Sequence, residues 1–144
     1  MKIWIDILTP KQLLFAEPII GKLGKKHKIL CTSRYYGEVS KLAKIRHFSL
    51  VNIGRYGGDT NLGKLESSIL RMQKMTKKIK EFGPEIAISF CSPEASRISF
   101  GLGIKHIAFY DSPHHEAILR FSSIDSKIVN CFSNTKERIF KFWN

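Results

Sequence analysis

The sequence predicts an α/β fold built on a mostly parallel sheet of about six strands, and three observations carry that prediction. Short β-rich runs alternate with helical segments along the chain, the pattern of a parallel sheet wound with crossover helices. The β-rich runs are dense in apolar residues, as strands covered on both faces must be. At 144 residues and 43% hydrophobic, the chain is long enough for one domain with its own core.

Strands are expected near 3–7, 28–32, 48–53, 86–90, 106–110 and 127–131. A first helix over 11–23 would bury Leu13, Leu14, Ile19, Ile20 and Leu23 and stop at Gly24 as a left-handed C′ residue. Pro18 inside it removes one backbone hydrogen bond and predicts a kink, or a break near residue 14. The third and longest helix, 62–82, carries the stripe Leu62, Leu65, Ile69, Met72, Ile79, Phe82 at helical spacing. Its other faces hold Lys64, Arg71, Lys74, Lys77, Lys78 and Lys80 against Glu66 and Glu81 alone. Such a run is ordinarily the solvated face of a covering helix, with a patch for anionic lipid or nucleic acid as the sharper reading. No aromatic residue interleaves with these lysines, so bases would find no stacking platform. A capped helix starting at Ser133 and carrying Ile139, Phe140 and Trp143 meets Asn144 almost at once, which suggests a domain end or a truncation.

Composition narrows the function classes. Apolar stretches are interrupted well before the about 18 residues that a membrane helix needs. The first residues, Met1-Lys2-Ile3-Trp4-Ile5-Asp6-Ile7, read as a strand rather than a signal h-region, and a cytoplasmic protein is expected. Cys31, Cys91 and Cys131 form no Cys-x-x-Cys pair, so buried small hydrophobes are preferred to a disulfide framework or a zinc knuckle. The balance of 24 Lys and Arg against 12 Asp and Glu, net +12, invites a polyanion, but nucleic acid, an anionic membrane and a phosphate-bearing molecule satisfy it equally.

Chemistry-bearing residues gather in three loops that follow strands. Gly54-Arg55-Tyr56-Gly57-Gly58-Asp59-Thr60-Asn61 runs into a helix N-terminus, and its backbone N–H groups at Gly57 and Gly58 with the Arg55 guanidinium could cradle a phosphate. It matches neither the dinucleotide fingerprint nor the P-loop, and an ordinary turn with positive φ explains it as well. In the next loop, Ser92 reads as N-cap, Pro93 as N1 and Glu94 as a first-turn acid, a terminus better suited to sugar hydroxyls or proton transfer than to phosphate. Cys91 could have a lowered pKa there, yet it lacks an assigned base. The concentration of acid and imidazole in Asp111-Ser112-Pro113-His114-His115-Glu116 is the strongest catalytic hint. Asp111 reads as a general base or as part of a helix cap with Ser112; His114 or His115 reads as a proton shuttle, a phosphate contact or an exposed residue. Adjacent histidines point apart on a helix and no third ligand is evident, so no metal site is expected.

These residues carry a family resemblance. Trp4-Ile5-Asp6-Ile7, Pro18, Ala87-Ile88-Ser89 with Ser92-Pro93-Glu94-Ala95, Phe100-Gly101-Leu102-Gly103-Ile104 and Asp111 with His114 together resemble the N-terminal half of an uncharacterised, mostly archaeal family. That family is itself similar to GT-B glycosyltransferases and to UDP-N-acetylglucosamine 2-epimerase. The resemblance implies a single Rossmann-like three-layer α/β/α sandwich over 1–144, whose cleft would form against a separate C-terminal domain that binds a nucleotide sugar. Its aligned loops, Ser92–Glu94 and Asp111–His114, imply catalytic Asp111, His114 and Glu94 with Ser92 and Ser112 as ligand contacts, no cofactor, and a nucleotide sugar as substrate; Arg55, Gly57 and Gly58 join the ligand-binding set from the chemistry of their own loop. The sequence stops where a linker to that domain should begin, so activity would need the donor-binding domain on another chain, or be lost. The expectation is the acceptor-side half of a glycosyltransferase or epimerase-like protein acting on a small-molecule sugar or glycan. The alternative is a non-enzymatic basic module for nucleic acid or an anionic membrane surface.

Overall fold

The computed structural model describes residues 1–35, 37–110 and 126–130. Within them run β1 (Lys2–Asp6), α1 (Pro10–Leu23), β2 (Lys28–Tyr35), α2 (Gly37–Ile45), β3 (Val51–Arg55), α3 (Asn61–Phe82), β4 (Ile86–Ser89), α4 (Pro93–Gly101), β5 (Lys105–Tyr110) and β6 (Ser126–Asn130). The strands form one six-stranded sheet in the order β3-β2-β1-β4-β5-β6, and each neighbouring pair is parallel. This is the expected Rossmann-like α/β/α sandwich.

Alternation along β1 sorts the core into two layers. Ile3, Ile5 and Ile7 pack on one face with Leu13 and Ala16 of α1 and Ala43 of α2. Trp4 faces the other way, against Met75 and Ile79 of α3 and Ala95 and Ile98 of α4. The first layer is completed by Phe15, Phe90 and Phe109, whose ring centroids lie 5.3 to 5.6 Å apart. Phe48 and Leu50, expected to open β3, instead pack on this layer from the preceding loop, and the strand starts at Val51.

Three helix expectations need correction. First, α1 runs through Pro18 without a break near residue 14; Thr9 caps it, accepting from the Gln12 N–H, and Pro10 follows the cap. Leu14 is exposed, and Ala16 takes the buried position beside Leu13. Second, Gly24 closes α1 with φ −62°, a right-handed conformation; a side chain there would press on the Ile20 carbonyl oxygen at 2.9 Å. Third, α3 departs from its expected stripe in its N-terminal half: Leu62, Leu65 and Ile69 are exposed, whereas Met72 and Ile79 pack in the core as expected, with Arg71 and Met75 fully buried beside them. Two contacts hold the N-terminal end of the helix. Gly63 lies directly on Gly57, where neither could carry a side chain, and the Ser67 hydroxyl donates to the Arg55 carbonyl oxygen. Among the described residues no helix is long and apolar enough to cross a membrane.

Candidate functional site

The order of addition reverses at β1, where β2 and β3 extend the sheet one way and β4, β5 and β6 the other, while α1 and α2 cover one face and α3 and α4 the other. In open α/β folds, the C-terminal edge of the sheet at such a switch point is where ligands sit. Asp6 ends β1 at that point, registered against Thr32 of β2 and Ser89 of β4.

Asp6 is fully buried, and a buried carboxylate must be paired and hydrogen-bonded. Its Oδ1 accepts from the Arg71 Nη2 at 2.6 Å and from the Thr32 hydroxyl at 2.7 Å; its Oδ2 accepts from the Ser92 hydroxyl at 2.8 Å and the Arg71 Nη1 at 3.2 Å. The Trp4 indole donates to Thr32 Oγ1 at 2.8 Å, and Arg71 Nε donates to the Ile53 carbonyl at 3.1 Å. Burial alone would push the Arg71 guanidinium down, but the Asp6 charge and hydrogen bonds, joined by the Glu94 charge, hold it above its ordinary value. Arg71 is therefore a fixed cation beside Asp6 at this edge of the sheet.

The β4-to-α4 turn brings the second set of groups. Cys91 has φ 51°, a left-handed conformation unusual for a side-chain-bearing residue, and its buried Sγ donates to the Phe109 carbonyl at 3.3 Å. Ser92 then caps α4, accepting from the Ala95 N–H at 3.3 Å, while Pro93 takes the first turn, as its sequence predicts. Glu94 Oε2 lies 3.3 Å from the Ser92 hydroxyl and 3.8 Å from Arg71 Nη1, so the carboxylate is held at the mouth of the network. Behind the turn, Ser89 Oγ meets His106 Nε2 at 2.9 Å. Burial pushes the His106 imidazole down to about 4, against a smaller upward pull from Asp6, so it is neutral at physiological pH. Burial likewise pushes the Cys31 thiol up to about 12.

A pocket of about 270 Å³, counting the open solvent at its mouth, lies beside the network. Arg34 at the end of β2, Arg55 and Tyr56 after β3, Gly57, Lys64, Ser67 and Ser68 of α3, Arg71 and Glu94 line it. The glycine loop is explained largely by packing. Gly54, at φ 78°, leaves room for the Arg71 side chain, whose Cβ and Cγ would lie 2.9 Å from any added Cβ; Gly57 leaves room for Gly63.

Of the sequence-predicted residues, Arg55, Gly57 and Glu94 therefore meet in one pocket. Gly58, with φ 77°, belongs to the same loop, and Ser92 is buried behind the pocket with its hydroxyl engaged by Asp6 and α4. Asp111, Ser112, His114, His115, Cys131 and the helix expected after Ser133 lie outside the described residues. Sequence reasoning missed Asp6 and Arg71. The signals were present: a carboxylate in a strand covered on both faces, and an arginine in phase with Met75 and Ile79. Among the described residues, no three His, Cys, Asp or Glu side chains come together as a metal site.

Comparison with solved structures places this architecture. MurG of Acinetobacter baumannii superposes with a TM-score of 0.72 at 13% identity, over 95% of this chain and 42% of its own. UDP-GlcNAc 2-epimerase from Neisseria meningitidis, bound to UDP-GlcNAc, superposes at 0.65 and 15% identity, over 88% of this chain and 38% of its own. Spinosyn rhamnosyltransferase SpnG, complexed with spinosyn aglycone, gives 0.63 and 14% over 87% and 38%. These likenesses show the fold, that of the N-terminal domains of GT-B proteins. In sequence, an uncharacterised protein of Methanocaldococcus jannaschii is 32% identical over 118 residues, 81% of this chain and 34% of that protein. The chain thus spans about a third of that relative's length. A family model matches residues 1–138, and the chain belongs to that family, described as protein of unknown function DUF354.

Proposed function

We propose that this chain is the acceptor-side half of a GT-B-like glycosyltransferase or sugar-nucleotide epimerase-like protein, completed by a C-terminal domain that binds the nucleotide sugar. The observation that carries the reading is the position of Glu94 and the Asp6–Arg71 pair: all three stand at the β1/β4 switch point, on the edge where such sheets take ligands. Its support from comparison is the fold shared with MurG, SpnG and the epimerase, each matched over less than half of its own chain. In this reading Glu94, Asp111 and His114 handle protons at a sugar hydroxyl, Arg55, Gly57, Gly58 and Ser112 contact the ligand, and Ser92 positions Glu94. Arg71 holds the carboxylates in place without exchanging a proton.

The test is turnover of a nucleotide sugar by the chain combined with a donor-binding domain. Glu94→Gln and Asp111→Ala are each expected to lower turnover at least about 100-fold, the smaller end of what a general acid or base contributes. Full turnover in both variants would contradict the assignment.

A second reading, a non-enzymatic module for a polyanion, is favoured by the net charge of +12 and by the exposed Lys74, Lys77 and Lys80 of α3. It predicts heparin binding with a steep salt dependence that alanine at these three lysines removes.

A further inference from the structure

We propose that the pocket between β2, β3 and α3 binds a small phosphorylated sugar, with its phosphate on Arg55 and Lys64 and a hydroxyl on Glu94. The inference deepens the preceding reading by naming the chemistry of the small-molecule ligand, and rests on it only for the role that ligand plays.

Charge on the pocket wall is divided into two parts. Asp6, Arg71 and Glu94 form an ion-paired group of their own, with contacts at 2.6 and 3.8 Å. Arg71 is buried and hydrogen-bonded to Asp6 and the Ile53 carbonyl, so it forms the back of the pocket. Arg55 and Lys64, by contrast, enter no ion pair among the described residues, and both line the pocket. Two cations with no carboxylate to neutralise them match the charge of a phosphate monoester, and a guanidinium offers it paired donors.

Three further features favour an anion at this place. Lys64 lies in the opening turns of α3, a helix of 22 residues whose first turn carries no acid, so the positive end of its dipole adds to the local positive potential. The Arg34 guanidinium lies over the Tyr56 ring at 5.2 Å, on the same wall of the pocket. The close contact of Gly57 with Gly63 fixes the loop bearing Arg55 against the helix bearing Lys64, so the backbone sets the two cations on adjoining walls of the pocket. Glu94 adds the specificity: a carboxylate repels a second anion and accepts from a hydroxyl, so it suits the sugar rather than the phosphate end.

The experiment is calorimetric titration of the chain, at low salt, with glucose 1-phosphate, inorganic phosphate, glucose and glucuronate. Glucose 1-phosphate is expected to bind more tightly than inorganic phosphate, and glucose and glucuronate at least about 10-fold more weakly than either. Arg55→Gln and Lys64→Gln should each weaken glucose 1-phosphate at least about 10-fold, and Lys41→Gln, at an exposed position of α2 on the other side of the sheet, should leave it unchanged. Thermal melting checks that each variant folds; Lys64 is exposed, so its variant carries the test even if Arg55→Gln does not fold. Unchanged affinity in Lys64→Gln, equal weakening by Lys41→Gln, equal binding of glucuronate, or no binding of glucose 1-phosphate would each overturn the proposal. Phosphate binding without sugar turnover would retain this site and remove the enzymatic reading; turnover without phosphate binding would do the reverse.

Discussion

The two faces of strand β1 solve the same burial problem with opposite chemistry. Ile3, Ile5 and Ile7 bury hydrocarbon against α1 and α2, whereas Trp4 and Asp6, on alternate positions of the same strand, bury an indole N–H and a carboxylate against α3 and α4. The apolar face is held by area and packing, which have no direction. The polar face is held by hydrogen bonds of fixed geometry, and each one locates a group at the edge of the sheet: Arg71 under the pocket, Ser92 at the start of α4, Glu94 at its mouth. A buried ion pair is weak evidence for stability but a strong means of positioning, and this is the face on which the candidate site lies.

That contrast can be broken by mutation. Arg71→Met leaves the Asp6 carboxylate buried without its cation and is expected to cost about 3–5 kcal/mol in urea denaturation. The double variant Asp6→Leu with Arg71→Met should recover most of that loss, since the uncompensated charge is gone. Ile5→Ala on the other face should cost about 2–5 kcal/mol through its cavity, with no rescuing change at a charged site. If the double variant is as unstable as Arg71→Met alone, the two faces do not differ in the way described.

His106 supplies an effect of the next size. Its pKa falls from 6.5 when unfolded to about 4 when folded, so the unfolded chain binds the extra proton between those values. Its contribution is complete above pH 6.5 and is lost as the pH falls towards 4, by roughly 3 kcal/mol at most. Denaturation midpoints over that range should fall less steeply in His106→Gln than in the parent; an identical slope would remove His106 from the account.

Smallest of all is the leucine stripe of α3. Leu65→Lys is expected to change stability by less than about 0.5 kcal/mol, because Leu65 is more than half exposed. A loss of several kcal/mol would put the N-terminal half of the stripe in the core as well.

These residues also show what the sequence could and could not reveal. Strand and helix order was legible because apolar density and periodicity are local, and the Ser92-Pro93-Glu94 cap was legible because its chemistry spans three consecutive residues. The face of α3 was not: the stripes through Leu62 and through Arg71 both have helical spacing, and the choice between them is made by Asp6 and Gly57, far away in sequence. Arg71 therefore read as one more exposed charge. The Asp6–Arg71 pair, 65 residues apart, is invisible to any local pattern, although a carboxylate inside an apolar strand already demanded a partner. Arg34 and Lys64 joined Arg55 only once β2, β3 and α3 were in place.

The central claim, that the Asp6 face of the sheet carries a ligand site and the isoleucine face does not, is tested most directly by amide-resolved NMR during titration with glucose 1-phosphate. Shifts confined to Arg55–Ser68 and to Ser92–Glu94 are the predicted result. Shifts on α1 and α2, or none anywhere, would contradict it.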